Sequence, residues 1–376
     1  MRFPKNPFKF GTVVQGDFFT NRTAEIQEFS SILNSENHLI LIGPRRFGKT
    51  SLIRTITAQS GRPVVYLDAL MLTSAEDFSV QFLNKLFRLY PFERIKNMVK
   101  QFRLTPTLSM NPLSGEVEVS FSGSKSEATE NYVLEDALNL AEKLSRPDRK
   151  LIVVIDEFQE VMNFGSGFDR QLRSVIQHHQ NINYVLTGSQ ESLMRSLFEQ
   201  KKAPFYHFGM LRYLGKIPHD EFLEYLSSRF STLQTEAQVL AEAILQITGA
   251  HPYYTQQLAW QCWEVLRLRR EEGLATLPDE VATEAAEKLT IVHDLDFDRL
   301  WNGMGTTDRK LLTRLSEGPI EALNSMLLTQ TGLSAVSTAH SALKRLSESG
   351  IVIKSNSGYF IDDPFFSRWI QRKRRA

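Results

Sequence analysis

Two short stretches of this sequence carry residues whose types and spacing suit phosphate chemistry. The first is Gly43-Pro44-Arg45-Arg46-Phe47-Gly48-Lys49-Thr50-Ser51, with the spacing G-x-x-x-x-G-K-[ST]. Its glycines let the backbone curl so that N–H groups point inward at phosphate oxygens. Lys49 then sets a positive charge against the β- and γ-phosphates, and the Thr50 hydroxyl is placed to ligate magnesium. The second stretch is the carboxylate pair Asp156-Glu157, which closes the apolar run Leu151-Ile152-Val153-Val154-Ile155. Asp156 suits a direct or outer-sphere magnesium contact beside Thr50. Glu157, one residue on, suits orienting and deprotonating an attacking water. A hydroxyl from Ser189 or Thr187, at the end of the run Asn183–Ser189, is a candidate sensor of the γ-phosphate; a polar strand end that touches no ligand is the competing reading. The chemistry expected of these groups is hydrolysis of magnesium-bound ATP.

Such groups need a scaffold that brings strand ends together. Leu39–Ile42 reads as a buried strand running into the loop, and Ser51–Ser60 as the helix leaving it, until Gly61-Arg62-Pro63 breaks the pattern. Val64–Leu67 reads as a second strand ending at Asp68. Five consecutive apolar residues before Asp156 indicate a strand buried on both faces, as at the centre of a parallel sheet. Ligands of open α/β sheets bind where such strands end. Residues 74–103 read as helical with a break at Pro91. Residues 105–122 alternate in polarity, which suggests a β-hairpin insertion around Pro112-Leu113-Ser114-Gly115. A polar loop over 122–131 and a helix over 132–144 follow. Phe168–Gln180 reads as a helix whose adjacent His178 and His179 lack metal-ligand spacing and are surface or packing residues. Ahead of all this, Phe8, Phe10, Phe18 and Phe19 form an aromatic lead-in that covers an edge of the core, or that supplies part of an adenine pocket through Phe18–Arg22.

Near residue 215 the pattern turns from strand–helix alternation to helices alone. Helices are expected from His219, over Thr235–Ile247 with a stop at Gly249, after Pro252, and from Pro278. Helices over 309–316, 321–329 and 334–347, then apolar triplets flanking Asn356-Ser357-Gly358, describe a winged helix-turn-helix. The chain is therefore divided as an α/β core over 1–214, a helical lid over 215–304 and a winged helix with a basic tail over 305–376. The winged module holds 11 Lys/Arg against 6 Asp/Glu, and Arg372-Lys373-Arg374-Arg375 supply four of the basic residues. Its candidate reading helix offers only Lys344 and Arg345, a sparse set for phosphate contacts, so packing or protein docking competes with DNA binding.

Composition adds limits. Lys+Arg 44 against Asp+Glu 43 gives no global bias toward nucleic acid or acidic membranes. The single cysteine, Cys262, has no partner for an internal disulfide, in keeping with a reducing, cytoplasmic setting. No apolar run approaches the ~18–20 residues that span a bilayer. Met1-Arg2-Phe3-Pro4-Lys5 leads into no signal-peptide core, so no membrane anchor is expected.

Taken together, these motifs resemble the archaeal-type ATPase family, grouped with the signal-transduction ATPases with numerous domains (STAND), a branch close to AAA+ proteins. The matching residues are Gly43–Leu52, Ile155-Asp156-Glu157-Phe158-Gln159-Glu160, Thr187-Gly188-Ser189 and Gly249-Ala250-His251-Pro252-Tyr253-Tyr254. Tyr359, Asp363-Pro364-Phe365-Phe366 and Trp369 match near the C-terminus. The resemblance implies an ASCE-type P-loop NTPase sheet with helices on both faces, a lid and a winged helix. It also implies that Pro252 lies near the nucleotide, on its base and ribose side, while Arg22 belongs to the adenine-pocket reading of Phe18–Arg22. One departure stands out. Relatives carry an arginine in a Tyr-Gly-Arg context after the Ser189 strand, where this chain has Phe205-Tyr206-His207-Phe208-Gly209-Met210. Arg195 and Arg212 are nearby substitutes, and the oligomeric state is left open. Three roles follow: an ATPase that moves its lid and winged helix, a slow nucleotide-gated switch read by a protein partner, or a DNA-binding ATPase similar to origin-recognition initiators. The pair Arg45-Arg46 has no catalytic assignment; it packs on acidic lid residues or couples the nucleotide to the domains that follow.

Overall fold

The computed structural model describes the chain apart from residues 1–3, 20–21, 101–102, 104–106, 111–116, 121–126, 234, 356–357 and 376. It falls into two compact units. One comprises Arg22–Pro44 with Lys49–Gly215; the other comprises Met1–Asn21, Arg45–Gly48 and Lys216–Ala376.

In chain order the first unit contains α1 (Thr23–Asn34), β1 (Leu39–Ile42), α2 (Lys49–Gln59), β2 (Val64–Asp68), α3 (Ala75–Phe87), α4 (Phe92–Val99), β3 (Thr107–Met110) and β4 (Val117–Ser120). It continues with α5 (Glu127–Leu144), β5 (Leu151–Asp156), α6 (Phe168–Ile176), β6 (Ile182–Gly188), α7 (Glu191–Phe198) and β7 (Met210–Tyr213). Five strands form one parallel sheet in the order β2-β5-β6-β1-β7. Every residue of β1, β5 and β6 is buried, so helices and loops cover both faces of the sheet centre, as their unbroken apolar runs require. Because β6 sits between β5 and β1, the chain must cross back over the sheet, and the strand ends open at that reversal. Register fixes what meets there: Ile42 lies beside Gly188, and Asp68 beside Asp156.

The second unit is helical, then winged. It holds α8 (His219–Phe230), α9 (Ala237–Thr248), α10 (Pro252–Glu271), α11 (Pro278–Val292) and α12 (Asp294–Asn302). The winged helix follows as α13 (Thr306–Ser316), α14 (Ser325–Thr331), α15 (Val336–Glu348), β8 (Val352–Ser355), β9 (Gly358–Ile361) and α16 (Pro364–Arg375). One apolar cluster runs from Phe222 through Trp263 to Phe365, Phe366 and Trp369. No helix among the described residues is long and apolar enough to cross a membrane.

Several elements differ from the sequence reading. The segment 122–131, read as a loop, contains the start of α5 at Glu127, where acidic residues in a first turn favour helix. The strands of the hairpin are present as β3 and β4, and its turn, Pro112–Gly115, lies outside the described residues. Helix α6 stops at Ile176, short of Gln180. Strand β7 and helices α7 and α12 had no sequence signal: β7 is a four-residue edge strand, only half-covered, with no alternation to read. The basic tail is the last turn of α16, where Lys373 pairs with Asp298 and Arg374 with Glu317. In the lead-in, Phe8 and Phe10 pack on Tyr225, Phe230, Tyr253, Trp260 and Trp263 of the helical unit rather than on the parallel sheet.

Candidate phosphate-binding and hydrolytic site

Strand β1 delivers the chain to Gly43, where a side chain would collide with the Leu214 carbonyl at 2.8 Å. Gly48 takes φ +87°, a left-handed conformation that suits glycine and turns the chain into α2. The first residues of α2 are Lys49, Thr50 and Ser51, so the helix N-terminus, the end that favours anions, directly follows the loop. Lys49 is buried, and its ammonium donates to the carbonyls of Gly43 (2.8 Å) and Pro44 (3.1 Å), inside the curl of the loop.

Asp156 is held from several sides. The Thr50 hydroxyl donates to its Oδ2 at 2.8 Å. Tyr66, on β2, and Thr187, on β6, also donate hydroxyls to the same carboxylate, and the Glu157 amide reaches its Oδ1 at 3.1 Å. Four donors reach this carboxylate, which fixes it in place. Burial, reinforced by Asp156, pushes the Tyr66 phenol well above its usual range, which keeps it a donor. Tyr66 carried no sequence signal, because a tyrosine in an apolar strand is ordinary.

Glu157 follows at φ 50°, in the left-handed region that a residue other than glycine enters only at a cost. That turn aims its carboxylate back at β6. Its Oε2 accepts the Ser189 hydroxyl at 2.6 Å, the Ser189 amide at 3.1 Å and the Gln159 side-chain amide at 2.7 Å. Gln159 is fully buried, and a side chain at Gly188 would lie 2.5 Å from its Oε1. The glycine between Thr187 and Ser189 therefore makes room for the residue that steadies Glu157. Asp68, at the end of β2, has its carboxyl raised above the usual range by burial and by the nearby Asp156 and Glu157.

The oxygen-only donor set of Thr50 and Asp156 fits magnesium, which keeps most of its coordination for water and phosphate. Among the described residues no group of three or more His, Cys, Asp or Glu side chains has the geometry to hold a metal by itself. In this unit Arg22 is buried, with its guanidinium donating to Glu25 (2.7 Å) and to the Gly215 carbonyl (2.8 Å). Arg195 pairs with Glu191 at 2.8 Å, and Arg212 with Glu28 at 2.5 Å. His179 is buried against the Tyr184 hydroxyl at 2.8 Å, a packing role.

Four residues of the loop, Arg45–Gly48, belong to the helical unit. There Arg45 is exposed and Arg46 donates to the Tyr254 hydroxyl at 2.7 Å, while Phe47 packs edge-on against His251. His251 caps α10 by accepting the Tyr253 amide at 3.2 Å, and Pro252 occupies the first helical position, buried. In the lead-in, Phe18 lies under Lys9.

Residues 19–258 match the family described as an ATPase domain predominantly from Archaea, and residues 295–372 match a probable winged helix domain. No curated protein matches the chain. Among solved structures, a Walker-type ATPase of Pyrococcus abyssi is similar, with a TM-score of 0.64 and 16% identity, covering 94% of this chain and 97% of that one. The ORC2 protein of Aeropyrum pernix (TM-score 0.47, 15% identity, 94% and 95% covered) and the RuvB branch migration motor of Thermotoga maritima (0.46, 16%, 92% and 93%) are more distant. The five-stranded parallel sheet, its phosphate loop and the family match agree: the chain belongs to the family of ATPase domains found predominantly in Archaea, with a winged helix domain at its C-terminal end.

Proposed function

We propose that this ATPase hydrolyses magnesium-bound ATP at the ends of β1, β5 and β6, and that the nucleotide state gates its helical and winged unit. Loop amides from Gly43 to Ser51 and the Lys49 ammonium hold the β- and γ-phosphates. Thr50, backed by Asp156, would hold the cation, which would supply charge neutralisation on the phosphate oxygens. Glu157 takes a proton from the water whose oxygen attacks the γ-phosphorus; the bond to the leaving ADP oxygen breaks, and that oxygen keeps the electron pair. Ser189 contacts both Glu157 and the region of the γ-phosphate, and Gln159 holds the base in line. The observation that carries this reading is the convergence of Thr50, Asp156, Glu157 and Ser189 through hydrogen bonds of 2.6–2.8 Å.

Gating is supported by the loop itself, since Arg45–Gly48 belong to the helical unit while their neighbours Pro44 and Lys49 belong to the sheet. Arg22 is assigned to the adenine side from its place in sequence ahead of the phosphate loop, and Pro252 to the base and ribose side on resemblance. A protein that reads the nucleotide state fits the winged helix better than DNA does. On α15, Arg345 is spent on the buried Asp308 at 2.5 Å, and Lys344 faces Glu348 at 3.9 Å. Purified protein is expected to release phosphate from ATP only with magnesium, and Lys49→Ala to abolish both nucleotide binding and turnover. Lys49→Ala turning over at the wild-type rate overturns the reading. Binding to duplex DNA that weakens steeply with salt and is lost on Arg345→Met would favour the DNA reading instead.

A further inference from the structure

Two consecutive loop residues, two residues at the start of α10 and two residues at the start of α16 form a paired relay inside the helical unit. In the first line, the Arg46 guanidinium donates to the Tyr254 hydroxyl at 2.7 Å and lies over the rings of Tyr253 and Tyr254. Tyr254 is buried, and its hydroxyl also reaches the Asp363 carboxylate. A phenol has one proton to give and lone pairs to receive, so it bridges a cation on one side and an anion on the other. Asp363 in turn accepts the amides of Phe365 (2.8 Å) and Phe366 (3.2 Å), capping α16. In the second line, the Phe47 ring meets the His251 ring edge-on at 4.8 Å, and His251 Nε2 lies 3.1 Å from Asp362 Oδ1. His251 is 2% exposed.

Resting on the reading that this loop binds ATP, we propose that Arg46 is a positioning residue that locks the loop to the winged helix through Tyr254 and Asp363. Phe47, His251 and Asp362 form the parallel line. Three features carry the assignment. Arg46 stands at φ 65°, a left-handed conformation unusual for arginine, and its guanidinium is engaged by the tyrosines. The two lines run side by side through adjacent residues, so a shift of the loop must move both. Both end on the Asp362-Asp363 pair that starts α16, the helix whose Phe365, Phe366 and Trp369 join the shared apolar cluster. Burial holds the Asp363 carboxyl above its usual range, with its own amide bonds and Tyr254 opposing that rise. The loop thus senses the wing, and the wing is sensed in the loop, through residues outside the hydrolytic cluster.

The test measures ADP dissociation with a fluorescent ADP analogue, alongside KM and kcat for ATP and the thermal midpoint of the nucleotide-free protein. Tyr254→Phe, which removes one hydroxyl, is expected to speed ADP release three- to tenfold and to move KM while kcat changes less than twofold. Arg46→Met should do the same, Arg46→Lys should restore part of the loss, and the Arg46→Met/Tyr254→Phe double variant should be no worse than either single one. Asp363→Asn, whose changed group is at α16, should also speed release. ADP release and KM unchanged in Tyr254→Phe, or effects of the two substitutions that multiply, overturn the proposal. Lys49→Ala separates the layers: if it still binds ADP like wild type, the site reading fails; if it does not while Tyr254→Phe is silent, only the relay fails.

Discussion

Replacing Glu157 by glutamine is the sharpest test of the hydrolytic assignment, because the structure shows what such a change keeps. One carboxylate oxygen accepts three donors: the Ser189 hydroxyl at 2.6 Å, the Ser189 amide at 3.1 Å and the Gln159 amide at 2.7 Å. A glutamine can satisfy all three only by turning its carbonyl toward them, which leaves its NH2 at the second oxygen position. The shape and the loop are preserved, and the ability to take a proton is lost. General-base catalysis contributes roughly 10²–10⁴ in rate, or about 3–5 kcal/mol of barrier. Glu157→Gln is therefore expected to lower ATP turnover at least 100-fold. ATP affinity should stay within about threefold, because the residue contributes no phosphate contact. The three hydrogen bonds become neutral ones at roughly half strength, so a stability loss of about 1–2 kcal/mol accompanies the change. Phosphate release under saturating ATP and a direct titration of nucleotide binding measure the two quantities separately. Turnover within threefold of wild type, with binding intact, refutes the assignment of Glu157 as the base.

Further expectations bear on the surrounding groups. Tyr66→Phe removes one hydroxyl from the buried Asp156 carboxylate, and should cost about 1.5–3 kcal/mol in a denaturant titration while lowering turnover. Gly188→Ala places a methyl group against Gln159 and Met194, so it should displace Gln159 from Glu157 and reduce kcat at least tenfold, more than it raises KM. His38 is half-buried near Arg173, His179 and Lys150, and desolvation first, then those neighbours, lowers its pKa to about 4. The unfolded chain takes up this proton near pH 6.5 and the folded chain only near 4. Stability present above pH 6.5 is thus lost as pH falls toward 4, by about 2–3 kcal/mol at pH 4.5. Thermal midpoints across pH 4.5–7.5 should show that slope, and His38→Gln should flatten it.

How much of this was legible beforehand differs by feature. Gly43–Ser51, Asp156 and Glu157 announce themselves because a phosphate loop and a buried strand with a terminal carboxylate are contiguous in sequence. Tyr66 and Gln159 do not, although Tyr66 touches Asp156 and Gln159 touches Glu157, because their roles come from register and turn geometry rather than from spacing. Strand β7 escaped notice for a related reason: an edge strand with one neighbour needs no full apolar run. The aromatic lead-in was legible as apolar, yet nothing local says which core it joins, and Phe8 packs with Trp263.

What the sequence alone determined is local: a phosphate loop between strand and helix, a buried strand ending in two acids, and a change to helices near residue 215. Each is set by backbone freedom or by burial of a contiguous run. What only the tertiary structure decided is long-range. Sheet order brings Thr187 and Ser189, more than thirty residues onward, beside Asp156 and Glu157. Helix packing brings Arg46 to Tyr254, 208 residues away. No local preference can encode such pairings, because they exist only once whole apolar faces have found one another. That is why Arg46 could be seen in the loop but not understood from it.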